Sequence, residues 1–304
     1  MKIGLFNKNN KIKRSVSDKT FNTVPLVIVT IYLLIVSYPI IYVIACSFSS
    51  GPALTAGRVF LWPVDVTVDG YRMVFANRLV WTGYANTIFY TVFGTMFNML
   101  LTILVAYPLS RRNFQGRPFF TVYYLIPMYF GGGLIPQYIL VSNLGLVNKR
   151  WTLVLLAAIG FSNMIMLRTS FRQVPQELLE SAKMDGISDA GYLLRIVLPL
   201  SKATLSVIIL YYMVGHWNQY FSAMIYLRKR EYYPLQIVLR DILLTSSGIN
   251  VDDITDPELA ARMQQLAEVM KYALVVVSSA PMILLYSFIQ KFFAKGVMMG
   301  SVKG

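Results

Sequence analysis

The chain is poor in the residues from which most catalytic and metal centres are built. It holds one cysteine, Cys46, and one histidine, His216, among 304 residues. A single thiol excludes an internal disulfide and any cysteine-based metal cluster, and a lone imidazole excludes a paired-histidine zinc site. The dipeptide Gly-Lys occurs nowhere, so the phosphate loop that needs Gly-Lys-Ser/Thr to cradle ATP is absent. Asp and Glu together number 14. None of them lies inside a long apolar run, which leaves no carboxylate for an intramembrane proton relay. No enzyme centre can be assembled from this set, and no metal or cofactor is expected on the chain itself.

What is abundant is apolar residues, 56% of the chain, with a mean hydropathy of +0.55. That is too apolar for a soluble domain with a single core. Uncharged runs of about 20 residues, the length that crosses a bilayer, fall at 24–48, 84–110, 119–141, 151–167, 203–227 and 272–290. Six crossings predict an all-α integral membrane domain over 24–304, preceded by a basic tail, 1–23. An even number of crossings places both ends on one side. With the amino terminus inside, the inner segments carry a net charge of +12 and the outer ones +2, as the positive-inside rule requires. The termini, including a tail at 291–304, are therefore expected in the cytoplasm of a bacterial cell membrane. The basic residues are dispersed over loops rather than gathered on one face, so lipid, not nucleic acid, is their expected partner. The apolar run before Cys46 is too long and starts too late for a signal peptide, which makes the first span a retained helix.

Several spans are not plain. Thr87, Thr91, Thr95, Asn98 and Thr102 recur at three or four residues and share one helical face; the stripe either packs helices together or lines a path. Gly131, Gly132, Gly133 and Pro136 make a straight third span improbable, and non-helical backbone at membrane depth is tolerated only when buried in protein or beside a water-filled cavity. The fifth span carries His216, Trp217, Asn218, Gln219, Tyr220, Phe221 and Ser222 in succession. Hydrogen-bonding groups beside aromatic rings suit sugars, whose hydroxyls need polar partners while their C–H faces stack. Trp217, Asn218, Tyr220, Phe221 and the three glycines are the candidate path residues, with an inter-helix polar cluster as the alternative. The outer segment 228–271 ends in an expected amphipathic helix over 257–270, with Leu259, Met263, Leu266 and Met270 at helical spacing.

The most distinctive segment lies between the fourth and fifth spans, at 174–199. Pro175 at a first helical position and Glu177 in the first turn start a short helix, Asp185-Gly186 breaks it, and Ser188 caps a second that Pro199 ends. Leu178, Leu179, Ala182, Ile187, Leu193 and Leu194 give this hairpin the apolar surface of a docking element. Glu180-Ser181-Ala182, then Asp185-Gly186, then Ile196 with Leu198-Pro199, resembles the cytoplasmic coupling motif of ABC importer permeases. Two positions depart from that pattern: Ser181 replaces an alanine, and Ala203 stands where many relatives carry a proline. Asn86-Thr87, Gln137-Tyr138, Leu144-Gly145-Leu146, Trp217-Asn218 and the closing Gln290 to Gly304 are similar to the carbohydrate-uptake branch, including the maltose system's smaller permease and permeases for complex oligosaccharides.

The resemblance implies a six-helix permease of the type I importer fold. It implies a second homologous permease, a cytoplasmic ATPase dimer that binds ATP and Mg, an extracellular binding protein or lipoprotein, and an oligosaccharide substrate. Glu180, Ser181, Ala182, Asp185, Gly186, Leu198 and Pro199 are its coupling residues. Gly296, Gly300, Lys303 and Gly304 match a flexible carboxyl-terminal tail that reaches between the ATPase subunits. An ion-coupled secondary transporter of a polar solute is the alternative.

Overall fold

A computed structural model describes residues 16–156, 158–245 and 257–300, which form a helical body. In chain order the helices are α1 (Val16–Ser47), α2 (Gly51–Thr55), α3 (Asp69–Ala76), α4 (Arg78–Ser110), α5 (Arg117–Tyr129), α6 (Leu134–Asn143), α7 (Arg150–Leu155), α8 (Phe161–Arg172), α9 (Gln176–Met184), α10 (Asp189–Tyr192), α11 (Leu198–Leu200), α12 (Lys202–Trp217), α13 (Phe221–Tyr226), α14 (Leu235–Thr245) and α15 (Pro257–Gly300). A π-helical turn, Leu193–Val197, joins α10 to α11, and a 3-10 turn, Arg230–Tyr232, precedes α14. Among the described residues, three helical stretches are long and apolar enough to cross a bilayer: Thr23–Ser47, Arg78–Ser110 and Ala261–Phe288. Two bent pairs also qualify. They are α5 with α6, turned by 115°, and Asp189–Leu200 with α12, turned by 84°.

The centre of the body is α4, which packs against α8, α12 and α14. Asn77 caps it by accepting a hydrogen bond from the Leu79 N–H at 2.9 Å. Its 33 residues rise about 50 Å, more than the ~30 Å hydrocarbon layer, so its ends reach the segments outside. In contrast, α1 packs chiefly on α15, and apolar side chains from Val24 to Ile44 stay exposed on it, a surface suited to acyl chains.

The polar stripe on α4 is buried from Thr87 to Thr102, and the partners of Thr87, Asn98 and Thr102 put those three residues to packing, while the buried hydroxyls of Thr91 and Thr95 meet no hydrogen-bond partner. Two of the runs expected to cross the bilayer are not single helices. The run 151–167 divides into α7 and α8, and 203–227 divides into α12 and α13. A break at membrane depth frees backbone groups that lipid cannot satisfy. Asn98 Nδ2 donates to the Ala158 carbonyl at 2.9 Å, and the Gly160 N–H donates to the Tyr212 hydroxyl at 3.0 Å. That hydroxyl is tied in turn to Thr102 Oγ1 at 2.7 Å. Apolar periodicity cannot reveal a break whose partner stands 60 residues away. Toward the start of α4 the same face serves the segment after α13. Asn86 Nδ2 donates to the Glu231 and Tyr233 carbonyls at 2.7 and 3.0 Å, the Tyr90 hydroxyl donates to the Tyr232 carbonyl at 2.8 Å, and Thr87 Oγ1 accepts from the Leu235 N–H at 2.8 Å.

Outside the long helices, α3 and α14 were not foreseen. Leu235, Ile237 and Val238 of α14 are buried, so much of the segment expected as an outer loop is part of the core. The helix expected over 257–270 is present as the start of α15, but its buried residues are Ala267, Val269 and Met270, whereas Met263 is exposed. The reason is that α3 lies across α15 and selects the face it covers. Leu259 carries a side chain outside the described set.

His216 closes the seam: its Nε2 lies 2.6 Å from Asn98 Oδ1. Gly94 lets the imidazole approach, because a Cβ there would stand 2.4 Å from Nε2. Gly94→Ala is therefore expected to cost about 1–3 kcal/mol through overpacking, read as a lower midpoint of thermal unfolding in detergent. Leu104→Ala, on the exposed face of the same helix, should leave the midpoint near the parent's. An unchanged midpoint for Gly94→Ala would show that His216 has room to move.

Candidate functional site

The hairpin forms as its sequence predicts, with one register adjustment. Pro175 is the cap of α9 in extended conformation and Gln176 the first helical residue. Glu177 in the first turn and Lys183 in the last complement the helix dipole. At the far end Gly186 takes φ +72°, a left-handed conformation that glycine adopts without steric cost. The Ile187 N–H then bonds the Ala182 carbonyl at 2.9 Å and the Gly186 N–H bonds that of Lys183 at 3.1 Å, the paired pattern that ends a helix on glycine. Ser188 Oγ caps α10 by accepting from the Gly191 N–H at 3.2 Å. Pro199 has no N–H to donate, and the turn before it widens, with the Leu198 N–H reaching back to the Leu193 carbonyl.

Each candidate coupling residue has a distinct placement. Ala182 is 3% exposed and packs with Tyr192, Val197 and Phe171, with Leu198 partly buried beside them. Glu180, Ser181, Asp185, Gly186 and Pro199 are exposed. So is Met184, at 89%. The hairpin thus has an apolar root set into the body and a free tip carrying carboxylates, a serine and a methionine.

Polar contacts that sequence reasoning missed clamp the root. Tyr107, near the end of α4, donates from its hydroxyl to the Asp189 carbonyl at 3.0 Å and accepts from Arg111 Nη2 at 2.7 Å. The Arg111 guanidinium lies over the rings of Tyr107 and Tyr192, 4.4 and 4.7 Å from their centroids. Arg168 Nε donates to the Leu109 carbonyl at 3.1 Å and fastens α8 to the same end of α4. A cavity of about 850 Å³ opens beside α9, with Arg111, Arg112, Phe114, Arg172, Glu177 and Glu180 among its walls. An arginine directly after an apolar span is the sequence signal that marks Arg111.

The candidate path residues are divided by the structure. Trp217 is 6% exposed and donates from Nε1 to the Ser278 carbonyl at 3.0 Å, so it ties α12 to α15 and presents no ring to a path. The cost of leaving an indole N–H unpaired in an apolar setting accounts for this. Asn218 and Tyr220 lie in the break between α12 and α13, Phe221 begins α13, and all three are exposed. Gly131, Gly132 and Gly133 form the break between α5 and α6 and are also exposed; nothing approaches within 4 Å of where a Cβ would sit on the first two. The helix is interrupted at these glycines, and α5 and α6 are turned by 115° about them. Gly296 and Gly300 lie in the helical backbone of α15 rather than in a flexible extension, since the residues around them are good helix formers. Lys303 and Gly304 lie outside the described residues.

No family model matches the chain. Individual proteins do. The polygalacturonan/rhamnogalacturonan transport system permease protein YtcP of Bacillus subtilis is 39% identical over 273 residues, which cover 90% of this chain and 94% of YtcP. Protein LplC of the same organism is 38% identical over 271 residues, covering 88% and 89%. A chain in the crystal structure of a bacterial ABC transporter involved in the import of the acidic polysaccharide alginate superposes with a TM-score of 0.83 at 37% identity. That match covers 92% of this chain and 99% of the other. The chain belongs to the family of sugar ABC importer permeases. These relatives are transport permeases and not enzymes, and membership implies in general a binding protein, a second permease and ATPase subunits as partners.

In this permease the apolar root makes Ala182 a sensitive position. Ala182→Glu buries a charge without a partner, at a cost of several kcal/mol, and is expected to release the hairpin and speed tryptic cleavage at Lys183 about tenfold or more. Met184→Glu, at the exposed tip, should leave the digestion rate unaltered. Equal rates for both variants would mean that the root does not hold the hairpin.

Proposed function

We propose that this chain is the permease of an ATP-driven importer of oligosaccharides, and that the hairpin at 174–199 seats its tip in a cleft of a cytoplasmic ATPase subunit. The observation that carries this reading is the division of the hairpin into a clamped root and a free tip. A contact at Glu180, Ser181 or Asp185 is rigidly connected through Ala182, Tyr192 and Arg111 to the end of α4, so a push at the tip moves the membrane helices. ATP and Mg bind the ATPase partners, and this chain contributes no residue to hydrolysis.

The proposed course is alternating access. A loaded binding protein docks outside, the ATPase dimer closes on ATP, and the paired permeases open outward to take the sugar; hydrolysis returns them inward. Asn218, Tyr220, Phe221 and the Gly131 to Gly133 break line the path in this reading, and the extension through Gly296, Gly300, Lys303 and Gly304 reaches the ATPase dimer.

Six crossings with both termini in the cytoplasm suit this arrangement: α1, α4, α5–α6, α7–α8, α12–α13 and α15. Support for counting the broken α7–α8 segment comes from its two ends. Arg150 donates to Asn86 Oδ1 and Arg168 to the Leu109 carbonyl, points about 35 Å apart along α4. The polymers for which similar permeases are named favour a saccharide of several units as substrate.

Gly186→Pro tests the coupling role, because proline is confined to φ near −65° and cannot take the +72° found here. The variant is expected to insert and to co-purify with its partner permease from the native membrane, yet to lose the ATPase subunit and at least tenfold of sugar uptake. Uptake at the parent rate would refute a coupling role for the hairpin.

A further inference from the structure

At the opposite end of α4 from the hairpin, two loops bring five cations together. Lys149 and Arg150 begin α7, while Arg228, Lys229 and Arg230 follow α13, and all five are exposed. The loops are pinned to each other by Asn148. Its N–H donates to the Tyr226 carbonyl at 2.7 Å, and its Oδ1 accepts from the Arg228 and Lys229 N–H groups, both at 3.1 Å. Asn148 holds φ +60° to do so, a left-handed backbone that asparagine tolerates better than most residues. Arg228 Nη2 also reaches the Tyr138 hydroxyl at 3.4 Å, which draws in α6.

Among the described residues, carboxylates do little to neutralise this cluster. Lys229 pairs with Glu231 at 3.6 Å. Asp241, which shares a small cleft with Arg230, is engaged by Arg240 at 3.6 Å. Arg150 is held by neutral groups: Asn86 Oδ1 at 2.5 Å, and the rings of Phe89 and Tyr232, 5.5 and 5.3 Å from its guanidinium carbon. A cation fixed by neutral acceptors and ring faces keeps its charge for a ligand. In the proposed topology these residues lie outside, close to the ends of two spans, where the positive-inside rule disfavours Lys and Arg. Orientation in the membrane therefore does not explain them. Beside Arg150, Trp151 is exposed and packs edge-on against Phe89 and Phe93, an apolar ring surface next to charge.

Guanidinium and ammonium groups beside an exposed indole suit one class of saccharide well: sugar rings that stack through their C–H faces and carry carboxylates for charge-assisted hydrogen bonds. We propose that Lys149, Arg150, Arg228, Lys229 and Arg230 form a carboxylate-reading mouth, and that the imported oligosaccharide is acidic, built from uronate units. This rests on the importer reading above and specifies its substrate.

The test uses the complete importer, purified with its partner subunits and reconstituted in liposomes with its binding protein. The probes are trisaccharides of galacturonate, mannuronate and guluronate, alongside neutral galactotriose and mannotriose. The parent is expected to import an acidic member and to carry the neutral ones at least tenfold more slowly. R228Q/K229Q/R230Q is expected to lower uptake of that acidic member about tenfold or more, as loss of charge-assisted bonds entails. In that variant the stimulation of ATP hydrolysis by the loaded binding protein should stay within about twofold of the parent's, and R228K/R230K should retain uptake. Three results would overturn the inference while leaving the importer standing: preferred import of a neutral trisaccharide, undiminished acidic uptake by the glutamine variant, or loss of ATPase stimulation in that variant, which would make the cluster a docking surface for the binding protein. No uptake of any probe together with no stimulation of ATP hydrolysis in the parent would overturn the importer reading itself.

Discussion

Backbone that leaves the helical path inside a bilayer must have its N–H and C=O groups satisfied by protein, and this constraint organises the molecule. The breaks between α7 and α8 and after α13 release carbonyls and amides close to α4. The polar face of α4 meets them one by one: Asn98 at Ala158, Thr102 through Tyr212 at Gly160, Asn86 and Tyr90 along Glu231 to Tyr233, and Thr87 at Leu235. Each bond in isolation contributes modestly, about 1 kcal/mol net, whereas an orphaned buried group costs about 1–3 kcal/mol. The stripe therefore acts less as an adhesive than as the condition under which the breaks exist at all.

A helix fastened in this way is suited to carrying motion from one end to the other. At one end the Tyr107 and Arg111 clamp joins α4 to the hairpin root, and at the other Asn86 and Arg150 join it to the loops that Asn148 pins together. Between them His216 and Asn98 lock α12 against it through a contact that only glycine at position 94 admits. Rigid elements joined by specific bonds transmit displacement because packed interiors do not deform continuously. The exposed break at Gly131 to Gly133 and the one at Asn218 to Tyr220 stand outside this locked seam, where backbone is free to face a substrate or a neighbouring subunit.

Much of the hairpin at 174–199 was legible because its signals are local. Proline before a helix, serine at a cap, glycine in a left-handed turn and proline at a helix end act on their immediate neighbours; α9 begins and ends within a residue of where those signals place it, and the helical stretch that Ser188 caps, α10 with the π-turn and α11, ends at Leu200, one residue past Pro199. The turn between α5 and α6 was legible for the same reason, through three consecutive glycines. The breaks between α7 and α8 and between α12 and α13 were not. Neither 156–160 nor 218–220 contains a strong helix breaker beyond Gly160, and their stabilisation comes from side chains far along the chain. Trp217 was misplaced because a tryptophan beside polar residues has the same composition whether its N–H meets a substrate or, as here, the Ser278 carbonyl on α15.

The sequence by itself determined that this protein is helical and membrane-grade, and that a hairpin of short helices forms at 174–199. Those properties follow from composition, apolar run length and short-range capping, each of which acts over a turn or two of chain. Tertiary structure decided which polar residues serve packing and which remain free, where the spans break, and that two separate basic loops meet at Asn148. These outcomes depend on which hydrogen-bonding groups come within about 3 Å of one another across tens of residues. That distance is set by how the helices pack and is not encoded in any one segment.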